Sequence, residues 1–214
     1  MFWNRLTLPW QICLEEAWTA YCAGSLPIGA AITDAAGRVL ARGRNRIYES
    51  TPDGPTLFGH RLAHAEVNAL VALDYRAVDP HTCVLYTTTE PCPLCTGAIR
   101  MIGLSAVHYA SRDTAAGSIA LLEATPFMRR RAIWVVGPSD PDLEAIIVAL
   151  HTELILDPPM ARPAWLMEAW EAVVPRGVAL GRRLYATGDL ARLRAAGAPA
   201  AVVVDHLAAA LEAA

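Results

Sequence analysis

Two short stretches concentrate the residues able to do chemistry: HAEVNAL, from His64 to Leu70, and EPCPLCTGAIR, from Glu90 to Arg100. The first sets a histidine and a glutamate one residue apart. The second sets Cys92 and Cys95 three apart, and residues three apart share one face of a helix. Each stretch reads as the opening of a helix. A helix N-terminus favours thiolate over thiol, through its dipole and its unpaired N–H groups. Two thiolates and one imidazole make three ligands and leave a fourth tetrahedral position open. That is the donor set of a catalytic zinc, since a structural zinc calls for a fourth protein ligand and the chain has no second C-x-x-C. Glu66 does not stack on His64, but both can point to the same helix opening. A carboxylate beside the water that such a metal activates can take a proton and hand it on.

The elements that must position these residues follow from the pattern around them. Apolar positions at helical spacing run from about Pro9 to Ala23, and LPIGAAITD reads as a buried strand. DAAG is a hairpin signal, with RVLARGRNR as the partner strand. YESTPDGPTLFG is a loop, and a helix is predicted from about Leu62 to Asp74. TCVLYTTT, LSAVHYAS and RAIWVVG read as strands. A helix enters at Pro91–Pro93, AAGSIALLEA is short and helical or irregular, and PDLEAIIVALHTELIL is a helix with DPP as its stop. This αββαβαβ(α)βα alternation implies α/β architecture, a sheet with helices on both faces. From Ala164 to Ala214 the pattern carries no strand, and three or four helices are predicted. The expected organisation is one unit over 1–157 and a helical C-terminal extension over 158–214.

The totals exclude several classes. The chain has 214 residues, 54% of them apolar, which suits one core of ordinary size. All 18 basic residues are arginine, and the net charge of -3 predicts no general attraction to nucleic acid or anionic membrane. No apolar run reaches the ~18 residues of a spanning helix, and no secretory signal pattern is visible. Five cysteines in this spacing suggest no disulfide framework. A soluble, cytoplasmic chain with reduced cysteines is expected.

HAE followed by PCPLC resembles the signature of the zinc-dependent cytidine/deoxycytidylate deaminase superfamily, H-x-E…P-C-x-x-C. PIGAAITDAAGRVLARGRNR and LYTTTEPCPLCTGAIRMIGLSAVHYASRD are similar to segments of tRNA adenosine, guanine and cytosine deaminases. The likeness runs from about Pro9 to Leu156 and does not extend to the tail beyond Pro158. The resemblance implies a cytidine deaminase-like three-layer αβα fold with a mixed five-stranded sheet. It implies one Zn2+ per chain on His64, Cys92 and Cys95, with Glu66 as proton shuttle. Asn45, the backbone of Ile28, Gly29 and Ala30, and His64 would touch the substrate. The implied reaction is hydrolysis of an exocyclic amine to a carbonyl with loss of ammonia.

The substrate stays open at this point. A nucleobase, nucleoside or nucleotide is the first candidate, with a purine such as guanine or adenine slightly favoured. A tRNA anticodon adenosine is the second; against it stand RDTAAGS without a lysine and the acidic balance. A non-catalytic binding protein on the same fold is the third. A homodimer is expected, with LHTELIL and the tail as candidate interface helices. His60 competes weakly with His64 as a ligand. Cys13, Cys22 and Cys83 read as packed thiols, Glu90 and Asp113 as structural, and Arg129–Arg131 as a solvated loop that could meet a phosphate.

Overall fold

The computed structural model describes residues 1–157, 160 and 164–213. Five strands make one sheet in the order β2-β1-β3-β4-β5: β1 Gly29–Thr33, β2 Val39–Arg44, β3 Val84–Thr89, β4 Ala106–Ser111 and β5 Trp134–Val136. β1 pairs antiparallel with β2 and with β3, whereas β3, β4 and β5 run parallel. The mixed sheet is the predicted one. β1 and β2 are joined by the tight turn at Asp34–Gly37, short enough for an antiparallel pair. Parallel partners need crossovers, and α3 supplies one between β3 and β4.

The helices that follow this order are α1 Leu8–Cys22, α2 Ala65–Ala72, α3 Pro93–Ile102, α4 Pro126–Arg129 and α5 Pro141–Leu156. α2 begins at Ala65 rather than Leu62, because His64 holds an extended backbone as the N-cap (φ -76, ψ 154). α4 was hidden in an apparent loop. Its signal is Thr125 as N-cap, accepting the Met128 N–H at 3.2 Å, with Pro126 next. α5 starts sharply because Asp140 accepts from Asp142 and Leu143 N–H and Pro141 fills the first position. The DPP stop ends α5 at Asp157, while its prolines lie outside the described residues.

The described tail forms four helices: α6 Ala164–Val173, α7 Pro175–Thr187, α8 Asp189–Ala195 and α9 Ala200–Glu212. They do not stand apart from the sheet unit. Leu14 and Trp18 of α1, most of α5, Val178 and Leu184 of α7, and Val203 and Leu207 of α9 form one apolar cluster. Every residue from Leu143 to Ile155 is buried, so α5 is a central helix whose apolar surface is spent inside the chain. LHTELIL is therefore covered by the chain's own tail rather than offered to a second copy. Gly177 and Gly181 allow this closeness: a Cβ on either would run into Val148 or Thr152 and the α5 backbone. The opposite face packs α2 and α3 on Ala30, Ile32, Leu85 and Val107 in a second cluster. No helix of the described residues is long and apolar enough to cross a membrane.

Candidate active site

α2 and α3 both start at the end of the sheet where β3 finishes. His64 caps α2 and Cys92 caps α3, with Cys95 in the first turn of α3. Pro93 suits this start because its missing N–H is one that a helix leaves unpaired anyway. His64 Nδ1 lies 3.5 Å from the Cys92 sulfur and 3.5 Å from the Cys95 sulfur. Zinc–sulfur and zinc–nitrogen bonds of about 2.3 and 2.0–2.1 Å at a tetrahedral angle would separate such donors by about 3.6 Å. The donor set therefore fits one zinc ion. These are the three residues among those described whose donor atoms gather within 4.8 Å.

The protonation of the cluster leads to the same reading. The Cys92 thiol is pulled down to about 4, chiefly by a hydrogen bond from Cys95 and further by His64. The Cys95 thiol is pushed up by sharing that proton with Cys92 and by burial. His64 is pushed up, first by its contact with Cys92. Two sulfurs thus compete for one negative charge, a conflict that a divalent cation resolves by taking both as thiolates. The backbone at Arg61 adds a smaller push in the same upward direction on His64.

Glu66 lies in the first turn of α2 and is buried. Burial pushes its carboxyl up to about 7. Asn45 follows β2 and is 1% exposed. Its Oδ1 accepts from Ser25 Oγ at 2.8 Å and from the Ile47 N–H at 3.2 Å. These bonds fix the amide, and its Nδ2 has no hydrogen-bond partner. The Asn45 N–H donates to the Ile28 carbonyl at 2.9 Å. Gly29 N–H is taken by Thr88 Oγ1, and Ala30 is fully buried in strand pairing. His60 stands apart from the cluster, exposed, with its Nδ1 accepting from Leu62 N–H. Glu90 ties a loop, accepting from the Ile119 N–H, and Asp113 closes a turn by accepting from Ala115 and Ala116 N–H.

Two residues that organise the site escaped the reading of the sequence. Arg46 is 1% exposed and donates to Glu49, to the carbonyls of Thr51 and Asp53, and to Thr56, with its guanidinium 5.5 Å from the centre of the Phe58 ring. Asn68 of α2 donates to the Arg44 and Leu57 carbonyls and accepts from the Leu57 N–H. Together they shape the loop joining Asn45 to His64. The signal was an arginine beside a loop rich in carbonyls and acids, which does not show from sequence which partners it finds.

Residues 7–111 match the cytidine and deoxycytidylate deaminase zinc-binding region. The chain is 30% identical over 112 residues to a cytosine deaminase of Candida albicans, covering 52% of this chain and 70% of that protein. It is 38% identical over 111 residues to a guanine deaminase of Bacillus subtilis, covering 47% of this chain and 64% of that protein. A solved structure from a study of A-to-I editing by tRNA:A34 deaminases superposes with a TM-score of 0.51 at 27% identity, covering 60% of this chain and 95% of that one. The chain belongs to the cytidine and deoxycytidylate deaminase family of zinc-dependent hydrolases. Its relatives include cytosine, guanine and tRNA adenosine deaminases, so the family fixes the reaction class and leaves the substrate open.

Proposed function

We propose that this chain hydrolyses the exocyclic amine of a small nucleobase-type substrate, a purine in preference, to a carbonyl and ammonia. The observation that carries this reading is the convergence of His64, Cys92 and Cys95 beside a buried carboxylate, Glu66. His64, Cys92 and Cys95 hold the metal; zinc, when bound, supplies Lewis-acid activation of a water. Glu66 moves the protons. It takes one from the attacking water and gives it to the ring nitrogen next to the reacting carbon; it then takes the second proton from the added oxygen and gives it to the leaving amine, so that ammonia departs as the carbonyl forms. The unpartnered Asn45 Nδ2 donates to the base and holds its ring in place. Burial of Glu66 keeps bulk water from taking over the proton transfers.

The test is ammonia release by protein of assayed zinc content. The panel holds guanine, adenine, cytosine, their nucleosides and nucleotides, and a tRNA anticodon stem-loop. Turnover of a small molecule that vanishes in Glu66→Ala supports the reading. Turnover of the stem-loop alone replaces it with tRNA editing, and bound zinc without turnover replaces it with a binding role. A second copy is the proposed partner, through the exposed apolar strip of Val71, Tyr75 and Met101 at α2 and α3. Met101→Glu is expected to shift the mass measured by light scattering from dimer to monomer.

A further inference from the structure

The sheet ends at two edges, β2 and β5, and they are built differently. An edge strand presents unpaired N–H and C=O groups, and charged side chains along it discourage a further strand. β2 carries such charges. Arg42 pairs with Glu15 and Glu16, Arg44 with Glu49 and Asp53, and Arg38, just before the strand, with Asp34. β5 is Trp134, Val135 and Val136, with no charge of its own. All three residues are exposed, and Trp134 is 73% exposed. Successive side chains of a strand point to opposite faces, so β5 is open on both.

Register fixes which groups this edge offers. The Trp134 N–H donates to the carbonyl of Ser105, just before β4, at 2.9 Å. The next residue along a parallel strand turns its N–H and C=O to the other side, so those of Val135 point outward, away from β4. Trp134 and Val136 stand opposite Ala106 and His108. The His108 ring lies 4.8 Å from Tyr86, and Tyr86 meets Trp10 edge-on at 5.2 Å. These three rings are half-buried and lead across the sheet toward the exposed indole of Trp134. Just before β5 stand Arg129, Arg130 and Arg131, all exposed. Arg129 donates to the Glu123 carbonyl, and the Arg130 guanidinium lies 4.2 Å from the centre of the Phe127 ring. Among the described residues, none of the three takes part in an ion pair.

We propose that β5 is a docking edge for an extended, acidic segment of another protein, which adds a further strand to the sheet. The mode is strand addition, in which main-chain bonds give affinity and alternate side chains give specificity. Antiparallel pairing, the more stable kind, sets the C-terminal end of the segment beside Arg129–Arg131. The motif that fits is alternating β-branched or aromatic residues followed by carboxylates. Its main chain exchanges bonds with Val135, its apolar side chains on one face meet Trp134 and Val136, and its carboxylates meet three guanidinium groups that have no acid of their own. Charge favours this occupant over a second copy. A second β5 leads into Gly137, Pro138 and Ser139, and its nearest carboxylate, Asp140, already caps α5. A nucleic acid would meet the arginines and Trp134 but has no peptide main chain to pair with Val135. The edge shares no residue with the zinc cluster, so the inference stands apart from the deaminase reading.

The test is fluorescence anisotropy with the intact chain and two labelled peptides. Both alternate valine and threonine; one ends in a run of glutamates and the other in a run of lysines. The glutamate peptide is expected to bind, the lysine peptide not to, and binding is expected to weaken as salt screens the charges. Val135→Pro deletes the outward N–H and spares the bonds to β4, because proline is tolerated where an edge N–H faces solvent. It is expected to weaken the glutamate peptide about 2- to 10-fold, with the melting temperature held near the parent. Arg131→Glu leaves the strand untouched and reverses one charge. It is expected to weaken the glutamate peptide and to improve binding of the lysine peptide. Equal binding of the two peptides, binding of neither, or binding that neither variant moves overturns the proposal. Binding of a single-stranded RNA in place of the peptides gives the edge to nucleic acid and also overturns it. So does a mass by light scattering that falls with Val135→Pro, which gives the edge to a second copy.

Discussion

One face of the sheet carries α2 and α3; the other carries α1, α5 and, outside them, the tail. The first face has a modest cluster built around Ala30, Ala65, Ala69 and Leu85, and it leaves Val71, Tyr75 and Met101 exposed. The second has the larger cluster, in which α5 is buried along nearly its whole length. The candidate zinc cluster sits at the helix starts of the thinner face, where His64 caps α2, Cys92 caps α3 and Cys95 lies in the first turn of α3. Two buried carboxylates of the thicker face are held by hydrogen bonds: Tyr21 donates to Glu153 at 2.7 Å, and the Arg112 guanidinium grips Glu144 with two bonds. Stability and reactivity are thus drawn from opposite sides of one sheet.

The sharpest way to break this comparison is to show that the two faces do each other's work. Glu66→Ala is expected to lower kcat by about 10²–10⁴-fold, as loss of a general acid–base does, with zinc content by atomic absorption and melting temperature held near the parent. A large loss of stability there would put the thin face among the stabilising elements. Leu184→Ala, in the buried seam of α7, is expected to cost about 2–5 kcal/mol in urea unfolding. One transition for the whole chain is expected, because α7 and α1 share a cluster. Two separate transitions would show that the tail folds on its own.

A pH series sharpens the comparison. Burial holds His151 down at about 4, against an ordinary 6.5. Between those values the unfolded chain binds a proton that the folded chain refuses. The contribution is therefore fully present above pH 6.5 and is lost as pH falls toward 4, by about 3 kcal/mol at most. His151→Gln is expected to flatten that part of the stability profile; an unchanged slope would mean that other groups carry it. The smallest effect is expected from Arg182→Ala. Its ion pair with Glu171 is half exposed on both sides and contributes about 0–1 kcal/mol. A larger cost would show that charge, rather than apolar packing, fastens the tail.

The zinc cluster was legible because ligand chemistry is local. Spacing sets Cys92 and Cys95 on one helix turn, and His-x-Glu names its partner. The strands were legible from alternation and β-branching. The start of α2 was not, since His64 looks like the interior of an apolar helix until its backbone is seen to be extended. The burial of α5 was illegible for a different reason. An all-round apolar helix reads equally as an interface or as a centre, and the choice depends on α7, which begins only at Pro175, nineteen residues after α5 ends at Leu156. His151 and Trp170 looked like core residues; only the fold brings them to one cavity with Asp113.

The loop between Asn45 and His64 is held by the buried Arg46, with Arg44 beside it gripping Glu49 and Asp53. Arg46 reaches four loop residues with its guanidinium, and Asn68 pins Leu57 from the other side. Three of those Arg46 and Asn68 attachments are to main-chain carbonyls, which every amino acid provides. The frame is therefore indifferent to many of the side chains it displays. Ser50, Pro52 and Pro55 are exposed and make none of these bonds, so a directed library that varies them while Arg44, Arg46 and Asn68 stay fixed is expected to keep the loop's course.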